Sequence, residues 1–245
     1  RTAHPIRPAA PMRPGQSQLD LWLPRILYGT ETDDKFALAD AIPVGSYFAV
    51  LIDKVGDIHA YEDCIVSRCT FSASSGQPLV MRLEILGMEE LLTTAWPGTA
   101  PDAFEYSADK LPVLMSTGTL TLGGSEYYFE DFECVIDNMI EVVYRNSSTA
   151  IAFVPQDRVV TLRVTVDYSD DLYGAETAIA GDVNFVPATG KSLKFNFPKL
   201  MAPKETPVIT GKTSVLNDVT FTAYGDDYTD YTDLELYITN DLTGT

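Results

Sequence analysis

The 245 residues are long enough for one large all-β domain or two small ones, and a hydrophobic content of 45% excludes disorder throughout. A net charge of −18 and a pI near 4.3 argue against binding nucleic acid by neutralising phosphates, which takes clustered Lys and Arg. The longest apolar runs, at Tyr47–Ile52 and Leu111–Met115, fall far short of the roughly 20 residues that span a bilayer, so no membrane span is expected.

Residues 1–25 carry Arg1, Arg7, Arg13 and Arg25 against Asp20 alone, with Pro5, Pro8, Pro11, Pro14 and Pro24 among them. Prolines disfavour both a helix and a central strand, so this stretch is expected to be an extended arm ahead of a single domain at 26–245. It lacks the apolar core of a signal peptide. Leu19, Leu21, Trp22 and Leu23 supply an anchor at its end. A basic arm on an acidic body is suited to docking on a neighbouring subunit, with Arg7, Arg13, Leu19, Leu21 and Trp22 as the assembly residues.

From Tyr47 the chain reads as strands: 47–53, 63–72, 79–86, 113–122, 127–136, 158–168, 183–186, 192–197, 219–224 and 234–239. The clearest alternation puts Val160, Leu162, Val164 and Val166 on one face and Thr161, Arg163, Thr165 and Asp167 on the other. Two helices are expected, at Met88–Ala95 and at Asp171–Ala180, the second with acidic residues at its start and Gly181 at its end. The stretch 97–111 is expected to be a long loop. The stretch 225–233 holds four aspartates but lacks the ligand spacing of a calcium loop, so a solvated acidic loop is the better reading.

Cys64, Cys69 and Cys134 make an odd count, which argues against a disulfide framework and for a reducing compartment. Cys64 and Cys69 lie an odd number of positions apart on one strand and should point to opposite faces. His4 and His59 are the only histidines, and no zinc spacing, nucleophile elbow or phosphate-cradling loop is present. No cofactor and no catalytic residue are expected, and an enzyme is improbable on these grounds.

The most informative run is Gly118–Val143. Leu120 and Leu122 alternate with Thr119 and Thr121, Gly123-Gly124 supplies the positive φ of a tight hairpin, and a long strand follows. In that strand Tyr128, Phe132 and Ile136 share parity and suit one buried face, with Glu130 interrupting. This hairpin, its aromatic strand, the segment Ile136-Asp137-Asn138-Met139-Ile140 and then Val159–Tyr168 together resemble the tail tube (major tail) proteins of long-tailed bacteriophages. Upstream, Tyr61–Val80 with Cys64, Cys69, Phe71, Gly76 and Pro78 resembles the family's first hairpin, ending at Leu86-Gly87. Downstream, Asp171–Gly181 resembles the short helix after a core strand. The ordered match covers roughly residues 25–240.

The resemblance implies a mainly β fold: an antiparallel sandwich of the tail tube type, with one or two short helices and the arm, lending long hairpins to an inner barrel shared between subunits. It implies a structural subunit of a virion tail, assembled in the host cytoplasm, whose hexameric rings stack around a channel for genome passage. The implied partners are other copies of the chain and the tape measure, tail tip and tail terminator proteins. DNA would pass without specific binding. Cys64–Leu86 and Tyr127–Tyr168 would give the barrel strands, with Glu62, Ser72, Ser74, Glu84, Thr161, Thr165 and Asp167 as channel-lining candidates. Arg68, Arg82 and Arg163 depart from a purely acidic wall and suit ion pairs between strands. The alternatives are a carbohydrate-binding or adhesin sandwich, for which thirteen tyrosines and two tryptophans are compatible, and a capsid decoration or tail-completion protein. Under the tube reading, removing residues 1–18 is expected to leave the fold intact and to impair stacking of rings, seen as shorter or absent tubes by electron microscopy.

Overall fold

Period-two alternation governs most of the chain. The computed structural model describes residues 4–6, 12–14, 16–29, 31–33, 35–39, 42, 47–54, 57–93, 113–147, 150–167, 178–188, 191–202, 216–224 and 237–241. The strands are β1 (His4–Ile6), β2 (Glu31–Thr32), β3 (Lys35–Ala37), β4 (Phe48–Lys54), β5 (Asp57–Ser74), β6 (Val80–Gly87), β7 (Glu89–Thr93), β8 (Gly118–Leu122) and β9 (Ser125–Tyr127). They continue as β10 (Phe129–Asp137), β11 (Ile140–Val143), β12 (Ala152–Pro155), β13 (Val159–Asp167), β14 (Ile179–Ala188), β15 (Lys191–Met201), β16 (Leu216–Ala223) and β17 (Tyr237–Asp241). One α-helix, α1 (Gln16–Leu27), lies among the described residues. Each of the ten strands expected from the sequence overlaps one of these.

The main sheet runs β1-β6-β5-β10-β13-β16-β15-β14-β8-β9, antiparallel between every pair of neighbours. It folds over between β16 and β15, which share only the pairs Leu200↔Ala223 and Met201↔Thr222. Strands far apart in that order are therefore face to face. Phe71 on β5 meets Phe195 on β15 with ring centroids 5.1 Å apart, and Phe132 on β10 meets Phe185 on β14 at 5.4 Å. Phe132 also lies 5.3 Å from Phe195. All four rings are fully buried, with edge-on or tilted packing suited to their quadrupoles. The architecture is thus an antiparallel β-sandwich, with its core between β6-β5-β10-β13-β16 and β17-β15-β14-β8-β9.

The Gly123-Gly124 turn is as expected: both residues have positive φ, and Leu122 pairs with Ser125 across it. That hairpin borders the second sheet, and the chain then crosses to the first as β10. The crossing breaks the long strand read from the sequence. Tyr128 falls between β9 and β10 and is 86% exposed, so it does not share the buried face of Phe132 and Ile136.

Three further expectations are corrected. Met88–Ala95 is not a helix, because Glu89–Thr93 pairs with β5 from Glu62 to Ile58, and pairing overrides the helical preference of Glu-Glu-Leu-Leu. Asp171–Ala180 ends in strand, at Ile179 and Ala180 of β14, while residues 171–177 lie outside the described residues. The basic arm is not extended throughout, since α1 forms in spite of Pro24 and buries Leu19, Leu23, Ile26 and Leu27 completely. A cut after residue 18 therefore falls inside the packed domain. The stretches 97–111 and 225–233 lie outside the described residues.

Cys64 and Cys69 are both fully buried rather than on opposite faces. The register of β5 against β6 shifts between Val66 and Arg68, and this irregularity between the two cysteines reverses their parity. Burial pushes the thiols of Cys64, Cys69 and Cys134 up, Cys64 to about 11, and all three are free.

One buried amide ties the helix to the sandwich. Asn138, fully buried after β10, donates through its side chain to the carbonyls of Ile26 and Val66, each at 3.0 Å. Tyr28, just past the helix, donates its hydroxyl to the same Val66 carbonyl at 2.7 Å.

Phe132→Ala is expected to cost about 3–5 kcal/mol of unfolding free energy, because the ring touches both sheets and its loss leaves a cavity. Denaturant unfolding reads this directly. A loss of under about 1 kcal/mol would mean that the site collapses without cost, against the account of the core.

Candidate functional site: the polar face of the first sheet

Over 68–74 of β5, 131–137 of β10 and 218–223 of β16, and along β6 and β13, every second residue points inward, so the alternate residues form one outer face. Register fixes its rows. Ser74, Asp131, Thr165 and Asp218 stand side by side, as do Ser72, Glu133, Arg163 and Thr220. The next rows are Arg82, Thr70, Val135, Thr161 and Thr222, then Glu84, Arg68, Asp137 and Val159.

Six carboxylates on this face (Glu84, Asp131, Glu133, Asp137, Asp167 and Asp218) outnumber three guanidinium groups (Arg68, Arg82 and Arg163), so the face is acidic but not uniformly so. Two of the arginines bridge strands: Arg163 pairs with Asp218 across β13 and β16, and Arg68 lies 3.8 Å from Asp137 across β5 and β10. Thr165 also donates its hydroxyl to Asp218. That hydroxyl, followed by the Arg163 guanidinium, holds the Asp218 carboxyl below its usual range, with partial desolvation opposing, while the Asp218 partner holds Arg163 up. A shallow depression between Ser72, Ser74, Asp131, Glu133 and Arg163 spans the first two rows, and an open cleft by Arg68, Glu84 and Asp137 lies at the last.

The structure brings together six of the seven residues singled out as channel-lining. Ser72, Ser74, Glu84, Thr161, Thr165 and Asp167 share this face. Glu62 does not join them. It lies on the extension β4-β5-β7, beyond the irregularity at Asp63, next to a cluster in which Glu90 accepts from the Tyr61 hydroxyl at 3.0 Å and lies 2.7 Å from His59 Nδ1. Asp131, Glu133 and Asp137 of β10 belong to the face and were not singled out from the sequence. Their alternation with Phe132, Cys134 and Ile136 was the available signal.

The arm residues divide differently. Leu19 is buried in the chain's own core, and Trp22 packs edge-on against Phe48 at 5.5 Å. Leu21 and Arg13 are exposed, and Arg7 lies outside the described residues. Among the described residues no cluster of His, Cys, Asp and Glu is placed to hold a metal ion. No described helix is long and apolar enough to cross a membrane.

A sandwich that turns one broad polar sheet face outward defines the class as mainly β. A family model described as phage tail tube protein matches residues 9–223, and the chain belongs to that family. It is a structural subunit of a phage tail tube and a component of the virion tail. A search of curated proteins returns no match.

Asp218 gives this face a measurable pH signature. A carboxyl whose pKa is depressed by folding stabilises fully above its unfolded value, and the contribution is lost as pH falls through the folded value. The loss is therefore expected below about pH 4. Asp218→Asn should flatten that part of the acid limb in denaturant midpoints measured from neutral to acid pH. The effect will be small, because the side chain is half exposed. An unaltered acid limb would remove the Arg163–Asp218 pair from the account.

Proposed function

We propose that this chain assembles into rings, six subunits each as the resemblance implies, that stack into a hollow tube through which the phage genome leaves. The polar face of β6, β5, β10, β13 and β16 lines the channel, with Ser72, Ser74, Glu84, Thr161, Thr165 and Asp167 toward the lumen. The observation that carries this reading is the breadth of that face: five antiparallel strands present one largely polar surface, with no large aromatic platform on it among the described residues. Excess negative charge repels DNA phosphates and keeps the duplex from sticking as it passes. Inter-strand ion pairs lock the wall without making it adhesive. The role is structural rather than enzymatic, and DNA passes without specific contacts.

The tape measure, tail tip and tail terminator proteins are the further partners that this reading requires, and assembly takes place in the host cytoplasm. The stretch ahead of α1 acts as an assembly segment, and the domain expected at 26–245 takes in α1 as well, because Leu19 and Leu23 belong to its core. The adhesin alternative is less favoured, because Trp22 packs inside the subunit rather than forming a sugar platform.

Accessibility distinguishes wall from exterior. A cysteine at Thr161 should react with a bulky polymer-linked maleimide in the unassembled chain and be shielded in tubes. A cysteine at Thr119, exposed on the second sheet, should react in both states. Equal labelling of Thr161→Cys before and after assembly would place the channel elsewhere.

A further inference from the structure

The β6 edge of the proposed channel wall is not free. β1 lies antiparallel along it, with His4 opposite Gly87, Pro5 opposite Leu86 and Ile6 opposite Ile85. Farther along, Met12 and Met81 exchange backbone hydrogen bonds of 2.9 and 2.7 Å. The chain's own N-terminal segment thus covers the border at which a barrel shared between subunits would have to continue. This rests on the tube reading above.

We infer that this segment is an edge guard, displaced from β6 by a strand of a second copy of the chain when a ring closes. Three observations support displacement rather than permanent pairing. The cover is partial: among the described residues it pairs at Ile85, Leu86 and Gly87 and again at Met81, out of eight residues in β6. It also cannot serve as the joining strand itself: Pro5 stands opposite Leu86 with its nitrogen turned away from β6 and has no amide hydrogen to offer a further strand, so a shared barrel continues only once β1 leaves. Lastly, the opposite border of the same sheet offers a replacement. Among the described residues β16 is paired on its outer side only at Thr222 and Ala223, while on its inner side it pairs with β13 from Leu216 to Thr222. Two unlike borders on one sheet make a head-to-tail contact that closes into a ring rather than a two-fold dimer.

The device answers a physical problem. An uncovered polar sheet with two open borders would add strands indiscriminately. A short cover that a longer matching strand can outcompete keeps the free subunit from aggregating and yields to the correct partner.

A reversible tether tests this. Pro5→Cys with Leu86→Cys places two cysteines on directly opposed backbone positions, where a disulfide can form, while Cys64, Cys69 and Cys134 stay buried. Assembly of the oxidised variant, of the same sample after reduction and of the unaltered chain is followed by light scattering and electron microscopy. Rod formation by the unaltered chain tests the tube reading by itself. The expected result is that the oxidised variant stays unassembled with native circular dichroism and that reduction restores at least a tenfold faster assembly. Equal assembly of the oxidised and reduced forms would overturn the edge guard and leave the tube reading standing.

Discussion

The contact between Phe71 and Phe132 on one sheet and Phe185 and Phe195 on the other is the constraint from which the rest follows. Four fully buried rings from four strands set the spacing of the sheets and make the fold between β16 and β15 obligatory. Large aromatics contribute most of the apolar area that a sandwich can bury, and their edge-on geometry fixes relative orientation as well as distance. With that core in place, inward parity is settled for β5, β10, β14 and β15, and through register for their neighbours. The outer face of the first sheet is the remainder of that assignment. Its polarity is what the core leaves over.

Helix α1 and the segments before it belong to the same construction. Leu19, Leu23, Ile26 and Leu27 join the core, while Asn138 and Tyr28 fasten the end of the helix to β5 through the carbonyl of Val66. Among the described residues the N-terminal stretch is in two parts, a helix held by buried contacts and a leading segment paired along β6, with Met12 packed against the core. The displacement proposed above concerns the leading segment and leaves α1 in place.

Much of this was legible in the sequence where local and global preferences agree. The alternation of Val160, Leu162, Val164 and Val166 with Thr161, Arg163, Thr165 and Asp167 became burial without exception, and Gly123-Gly124 made the turn that its φ freedom permits. Six of seven channel-lining candidates fell on one face for the same reason. What was not legible came from pairing and irregularity. Glu89–Thr93 has a helical composition but lies along β5 as a strand. Cys64 and Cys69 lost their expected parity to a register shift between Val66 and Arg68 that no residue type announces. Prolines concealed α1, because a rule against proline within helices weighs one backbone hydrogen bond and misses four buried side chains. Glu62 was misplaced by the irregularity at Asp63.

The central claim is that copies of this chain form a tube whose inner wall is the polar face of β6, β5, β10, β13 and β16. The most direct measurement is electron cryomicroscopy of the purified chain at rising concentration, carried to a helical reconstruction. The account predicts hollow rods with a uniform axial channel and with Arg163, Asp218 and Thr161 on its wall. A tube lined instead by the Thr119, Asp182 and Lys194 face of the second sheet, or discrete particles with no channel at any concentration, would contradict it.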